Sequence, residues 1–129
     1  MLDLGLFLIR LVVGVLFIGH GAQKLFGWFG GYGLKGTAGW LESIGVRPGV
    51  VMATMAGLGE LLGGILFASG YLLWVGAFFI VATMVVAIAT VHGKNGLWVT
   101  QDGFEFNLVL IVVAIGVALA GPGAYAIGV

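Results

Sequence analysis

Arg10-Leu-Val-Val-Gly14-Val-Leu-Phe17-Ile-Gly19-His20-Gly21-Ala-Gln-Lys24-Leu-Phe26-Gly27 belongs to an apolar stretch long enough to cross a bilayer. It carries an arginine inside that stretch, and a histidine and a lysine one helical turn apart near its end. Charge in hydrocarbon is costly, so these residues need partners or a task. On a helix Arg10, Gly14, Phe17, Gly21 and Lys24 fall along one stripe, because residues three and four apart are neighbours. The two glycines leave room for a second helix to approach. The stripe is therefore predicted to face protein rather than lipid.

Working outward, 61% of the 129 residues are hydrophobic and 8% charged, with a mean hydropathy of +1.22. Soluble domains carry about 25% charged residues, so this is an integral membrane protein, and its length suits a single domain spanning residues 1–129. Acidic and basic residues balance to zero formal charge, which removes any electrostatic case for nucleic acid. There is no cysteine, so thiol chemistry on the chain is excluded, and any electron must sit on something bound. Met1 to Arg10 lacks the basic segment and the small-residue cleavage pattern of a signal peptide, so a retained first span is expected.

A spanning helix needs about 20 mostly apolar residues. Residues 4–26, 48–69, 71–91 and 104–120 qualify, which predicts an all-α, membrane-embedded antiparallel four-helix bundle. The first connection is rich in glycine and interfacial aromatics, and its Thr37–Ile44 portion reads as a short interfacial helix. Trp40, Leu41 and Ile44 are expected toward lipid there and Glu42 toward water, with Pro48 in the first turn of the second span. Only Ser69-Gly70-Tyr71 separates the second and third spans, which makes them antiparallel neighbours. Gly59 with Gly63, and Gly116 with Ala120, are small pairs suited to close packing. Lys24, Lys35, Arg47 and Lys94 fall on the side of loops one and three, so the positive-inside rule puts those loops in the cytoplasm.

Depth decides which polar residues can meet. Glu60 lies 12 residues beyond Pro48 and Arg10 lies 14 before Lys24, about 18 Å and about 21 Å inward at the helical rise. An Arg10–Glu60 ion pair near the midplane is predicted, as a clamp on helix register or as a proton-handling group. His20, Lys24, His92, Glu105 and Asn107 form a polar ring at the loop-bearing end. Each has a plainer alternative. Lys24 can snorkel to headgroups, His92 can be a polar anchor, and Glu105 completes a capping box three residues after Asp102. His20 stands between Gly19 and Gly21, which let a ligand come close. A bis-histidine haem or metal site has no supporting spacing: Cys-x-x-Cys-His, His-x-x-x-His and Glu-x-x-His are all absent, and no metal is expected.

Arg10 followed by His20-Gly-Ala-Gln-Lys24-Leu-Phe-Gly27, then Gly59-Glu60-Leu-Leu-Gly-Gly64, Glu105-Phe-Asn107 and Gly121-Pro-Gly123, resembles the DoxX family of small four-span bacterial membrane proteins. The tail departs from the family's Gly-x-Gly-x-x-Ser-Leu-Asp, reading Gly121-Pro-Gly123-Ala-Tyr-Ala126-Ile127-Gly128. The family is named for membrane subunits linked to quinol oxidation and thiosulfate-to-quinone electron transfer. The resemblance therefore implies a redox-associated role in the bacterial inner membrane and highlights Arg10, His20, Lys24, Glu60, Glu105 and Asn107.

The leading expectation is a quinone-interacting redox subunit that receives electrons from a partner protein. His20 or Lys24 would donate to the quinone carbonyls, Glu60 or Glu105 would relay protons, and Arg10, His20, Lys24 and Asn107 would hold the quinone. Two other classes compete. A noncatalytic assembly or anchoring subunit would use the glycine-rich faces and aromatic first loop to hold a partner or a second copy of the chain. A small proton-coupled transporter would use the central carboxylate of Glu60.

Overall fold

The computed structural model describes residues 1–101, 103–121 and 123. Its α-helices are α1 (Leu2–Phe26), α2 (Gly33–Ser43), α3 (Gly49–Ser69), α4 (Leu73–Ala87) and α5 (Glu105–Ala120), and no strand occurs among the described residues. Beyond Ala87, α4 widens into a π-helical turn, Ile88–His92, and tightens into a 3₁₀ turn, Gly93–Asn95. Leu2–Phe26, Gly49–Ser69 and Leu73–Asn95 are long and apolar enough to cross a membrane. The apolar α5 has 16 residues. At about 24 Å it falls short of a hydrocarbon core about 30 Å thick.

The buried face of α1 runs through Arg10, Gly14, Phe17 and Gly21 of the predicted stripe and is joined by Leu6 and Ala22, with Lys24 half-buried at its end, while Leu8, Val12, Val15 and Leu16 face outward. A helix with one narrow protein-facing stripe and an apolar remainder is what a bilayer demands of a peripheral span, since lipid accepts every other side. The helix stops at Gly27, whose φ of 74° places it in the left-handed region that glycine enters at little cost.

Helices α1 and α3 form the most extensive pair. Their backbones touch through glycine. A Cβ added at Gly14 would stand 2.6 Å from the Gly64 carbonyl oxygen, and one at Gly21 would stand 2.7 Å from that of Gly57. The opposite face of α3 packs on α4 through Gly59 and Gly63, with the methyl of Thr83 and Cβ of Phe79 in the space their side chains would need. Glycine on two faces thus lets α3 sit centrally, with α1 on one side and α4 on the other. From α5, Ala114, Val117 and Ala118 enter a core shared with Phe17, Phe67 and Ile80. Gly116 and Ala120, expected as a packing pair, instead point outward, because Ala114, Val117 and Ala118 turn the adjacent face of that helix to the core.

The first connection does contain a helix, longer than expected and better integrated. α2 begins at Gly33 and buries Thr37 and Ala38 against the start of α3. There Gly49 leaves no room for a Cβ, which would lie within 2.7 Å of Cγ of Glu42. Trp40 is exposed as expected, whereas Ile44 falls just past the helix end. Glu42 is exposed but engaged: its Oε2 accepts the backbone N–H of Gly49 at 3.1 Å and so caps α3 from a neighbouring helix. Pro48 occupies the cap position rather than the first turn.

Candidate functional site

Lys24 and Glu60 meet where α1 and α3 cross. The ammonium of Lys24 donates to Oε1 of Glu60, an ion pair between a side chain that is 32% exposed and one that is 6% exposed. Glu60 is held in the glycine-lined face of α3, flanked by Gly57, Gly59, Gly63 and Gly64, so that no bulky neighbour keeps the lysine stem away. A buried carboxylate persists only with such a partner.

This pairing corrects the expected Arg10–Glu60 pair. Counting depth from Pro48 and Lys24 treats those two residues as level, but the glycine contacts set Gly21 opposite Gly57 and Leu61. Pro48 then lies nine residues beyond Gly57 while Lys24 lies three beyond Gly21, an offset of about 9 Å at the helical rise. α3 projects past the end of α1 to meet α2, and Glu60 comes within reach of Lys24.

Arg10 instead caps α3. Its guanidinium, fully buried, donates from Nη1 to the carbonyl of Ala68 at 3.0 Å, and the face of Phe7 lies 5.7 Å away. Ala68 is in the last turn of α3, where carbonyls lack intrahelical donors and the helix dipole is negative. Arg10 is thus about 21 Å along α1 from Lys24. Among the expected site residues it belongs to the far end of the bundle.

Beside the ion pair opens a cleft of about 430 Å³, walled by Gln23, Lys24, Gly31, Tyr32, Thr37 and Trp40. It lies between the end of α1, the Trp28–Gly30 turn and α2. Gly31 packs flat on Gln23, where a Cβ would come within 2.4 Å of the Gln23 Cβ. Gln23 organises this corner. Its Nε2 donates to the carbonyl of Phe29 at 3.2 Å, and its Oε1 faces Nδ1 of His20 at 3.2 Å. A backbone carbonyl can only accept, which turns the amide oxygen toward His20 and requires the hydrogen on Nδ1. The His20 ring therefore donates from Nδ1 to the Gln23 amide oxygen. It does so on the outer face of α1, edge-on to Phe17 with ring centroids 6.5 Å apart, and not toward Glu60.

Of the remaining expected residues, Asn107 is buried at the depth of the ion pair. Its Nδ2 donates to Sδ of Met84 at 3.4 Å, and the adjacent Thr83 packs against Gly59. It faces α4. His92 closes the π-helical turn and Glu105 opens α5, both half-buried at the loop-bearing end, with Glu105 in the first helical turn where a negative charge is favoured. Phe104 occupies the cap position of α5, and the capping role assigned to Asp102 lies outside the described residues. Sequence reasoning missed Gln23, Tyr32, Thr37 and Trp40 as site residues. Gln23 was within reach, three residues after His20 on the same helix, whereas Thr37 and Trp40 join the cleft only because α2 folds back on α1 and α3.

Together these features define a class: an all-helical membrane protein with a half-buried ion pair and an adjoining cleft at one end. The DoxX family model matches residues 5–93, and the chain belongs to the DoxX family. That match runs from α1 to the end of the π-helical turn and includes Lys24, Glu60 and His92, with Glu105 and Asn107 beyond it. The chain is also similar to "Putative oxidoreductase CatD" of Bacillus subtilis (strain 168), 29% identical over 119 residues that cover 92% of this chain and 81% of the relative. No solved structure matches.

Proposed function

We propose that this protein is a redox-associated subunit of the bacterial inner membrane that binds a quinone in the cleft beside Lys24 and exchanges electrons through a partner protein. One observation carries the reading: Lys24 is shared, its ammonium bound to buried Glu60 while the same residue lines the cleft. The lining suits a ring with two carbonyls, for Lys24, Gln23, Tyr32 and Thr37 carry N–H or O–H groups and Trp40 is aromatic. A quinone, when bound, supplies two-electron chemistry coupled to two protons. Lys24 would then orient a carbonyl by hydrogen bonding, with the Glu60 carboxylate behind it as the relay through which a proton passes. Family membership and the oxidoreductase name of the Bacillus relative support the redox assignment. Lys35, Arg47 and Lys94 remain exposed at the same end and support a cytoplasmic location for it, whereas Lys24 is consumed by its ion pair and is no topology marker.

The test is extraction of the protein in mild detergent, mass spectrometry of bound small molecules, and thermal shift with a short-chain benzoquinone. Bound quinone in the wild type, lost in Lys24→Met, is the expected result. Quinone-free protein with no quinone-dependent shift overturns the proposal. Proton-gradient-driven uptake into proteoliposomes that vanishes in Glu60→Gln would replace it with transport. Normal turnover of a partner complex in Lys24→Met, with loss of that complex in Gly63→Leu, would replace it with an anchoring role.

A further inference from the structure

A second cleft, of about 370 Å³, runs down the outer face of α1. Its deep end is apolar, formed by Val15, Leu16, Ile18 and Gly19, and its upper end is formed by His20, Gln23 and Phe29. Gln23 belongs to both clefts, so the two adjoin across one side chain. The polarity runs in one direction. Hydrogen-bonding groups lie at the loop-bearing end, and hydrocarbon-facing groups begin at Gly19 and continue to Val15, about 12 Å below Gln23 at the helical rise. The floor is dented because Gly19 has no side chain, and a Cβ added there would meet nothing within 4 Å.

We infer that the groove along Val15–Gly19 receives the isoprenoid tail of the quinone whose ring occupies the cleft beside Lys24. The inference rests on the function proposed above. In a bilayer an amphiphile of this kind lies with its polar ring at the interface and its chain in the hydrocarbon, the same order in which the two clefts follow one another down α1. The groove is about long enough for the first isoprene units. Leaving lipid for an apolar groove gives a chain little hydrophobic gain, since lipid tails are equally apolar. Its contribution comes from packing in the Gly19 dent and from tethering the ring at the mouth, which sets a modest preference.

Gly19→Leu fills the groove in an open position and leaves the fold intact, and Gly5→Leu, also in open space on α1, is the control. Binding to protein in nanodiscs is measured for a tail-less benzoquinone and for the same ring bearing an isoprenoid chain, each ligand being compared between variants so that partition into lipid cancels. In Gly19→Leu the tailed quinone is expected to bind about five- to tenfold more weakly, up to about 1.4 kcal/mol, while the tail-less ring changes less than about twofold. Gly5→Leu should match the wild type with both ligands. If both ligands bind Gly19→Leu as they bind the wild type, the groove holds ordinary bilayer lipid and the inference fails while the proposed function stands. If neither ligand binds the wild type, both fail.

Discussion

Removing Lys24 should cost far more than removing Glu60, although each substitution breaks the same ion pair. In Lys24→Met the carboxylate of Glu60, a residue only 4% exposed, is left inside the glycine-lined face of α3 without its partner. Breaking a buried pair in this way costs about 3 kcal/mol or more. In Glu60→Gln the lysine that remains has a side chain already 32% exposed, on the last turn of α1, and it extends to the headgroups instead. That loss is about 1 kcal/mol, the value of one hydrogen bond exchanged for another. The double variant, with no charge left to bury, should lie within about 1 kcal/mol of the wild type, so that against single costs summing to about 4 kcal/mol the coupling energy is about 3 kcal/mol or more. The assay is unfolding in detergent micelles, by heat or by titration with dodecyl sulfate, followed by far-UV circular dichroism. Lys24→Met should melt about 10 °C below the wild type and Glu60→Gln about 3–4 °C below. Equal costs for the two single variants, or additive costs in the double variant, would refute the claim that burial of the carboxylate governs this site.

Arg10→Leu deprives the Ala68 carbonyl at the end of α3 of its donor and should destabilise the protein by about 1–2 kcal/mol in the same assay, with the Lys24–Glu60 end unaffected in whatever fraction remains folded. Gly64→Val drives a side chain into the backbone of Gly14 and Ile18 and should cost more than about 2 kcal/mol, measured as loss of folded protein on size-exclusion chromatography. Gly19→Ala, by contrast, should be neutral or stabilising by up to about 1 kcal/mol, because its Cβ meets nothing and the helix gains a better former. Glu42→Ala removes the cap on Gly49 and should cost about 1 kcal/mol, with faster amide exchange confined to the first turn of α3.

The sequence by itself determined the solvent, the secondary structure and the buried stripe of α1. Hydropathy dictates that these segments enter lipid, and lipid leaves a backbone little choice but to satisfy its own hydrogen bonds as helix. The spacing of Arg10, Gly14, Phe17 and Gly21 picks out the face that meets protein. The short link at Gly70 makes α3 and α4 antiparallel neighbours. None of this depends on how far one helix slides along another.

Only the tertiary structure decided the partners. Arg10 and Lys24 lie on the same stripe, and either could meet a carboxylate on α3, the choice resting on an axial offset of about 9 Å. That offset is set by where glycine backbones interlock, Gly14 with Gly64 and Gly21 with Gly57, and by α2, which meets α3 beyond the end of α1. The same holds for the cleft, whose walls come from α1 and from the segment after it. Helix formation is local and so can be read along the chain, whereas register is fixed by contacts between residues far apart in sequence. The chemistry of this site follows from the register.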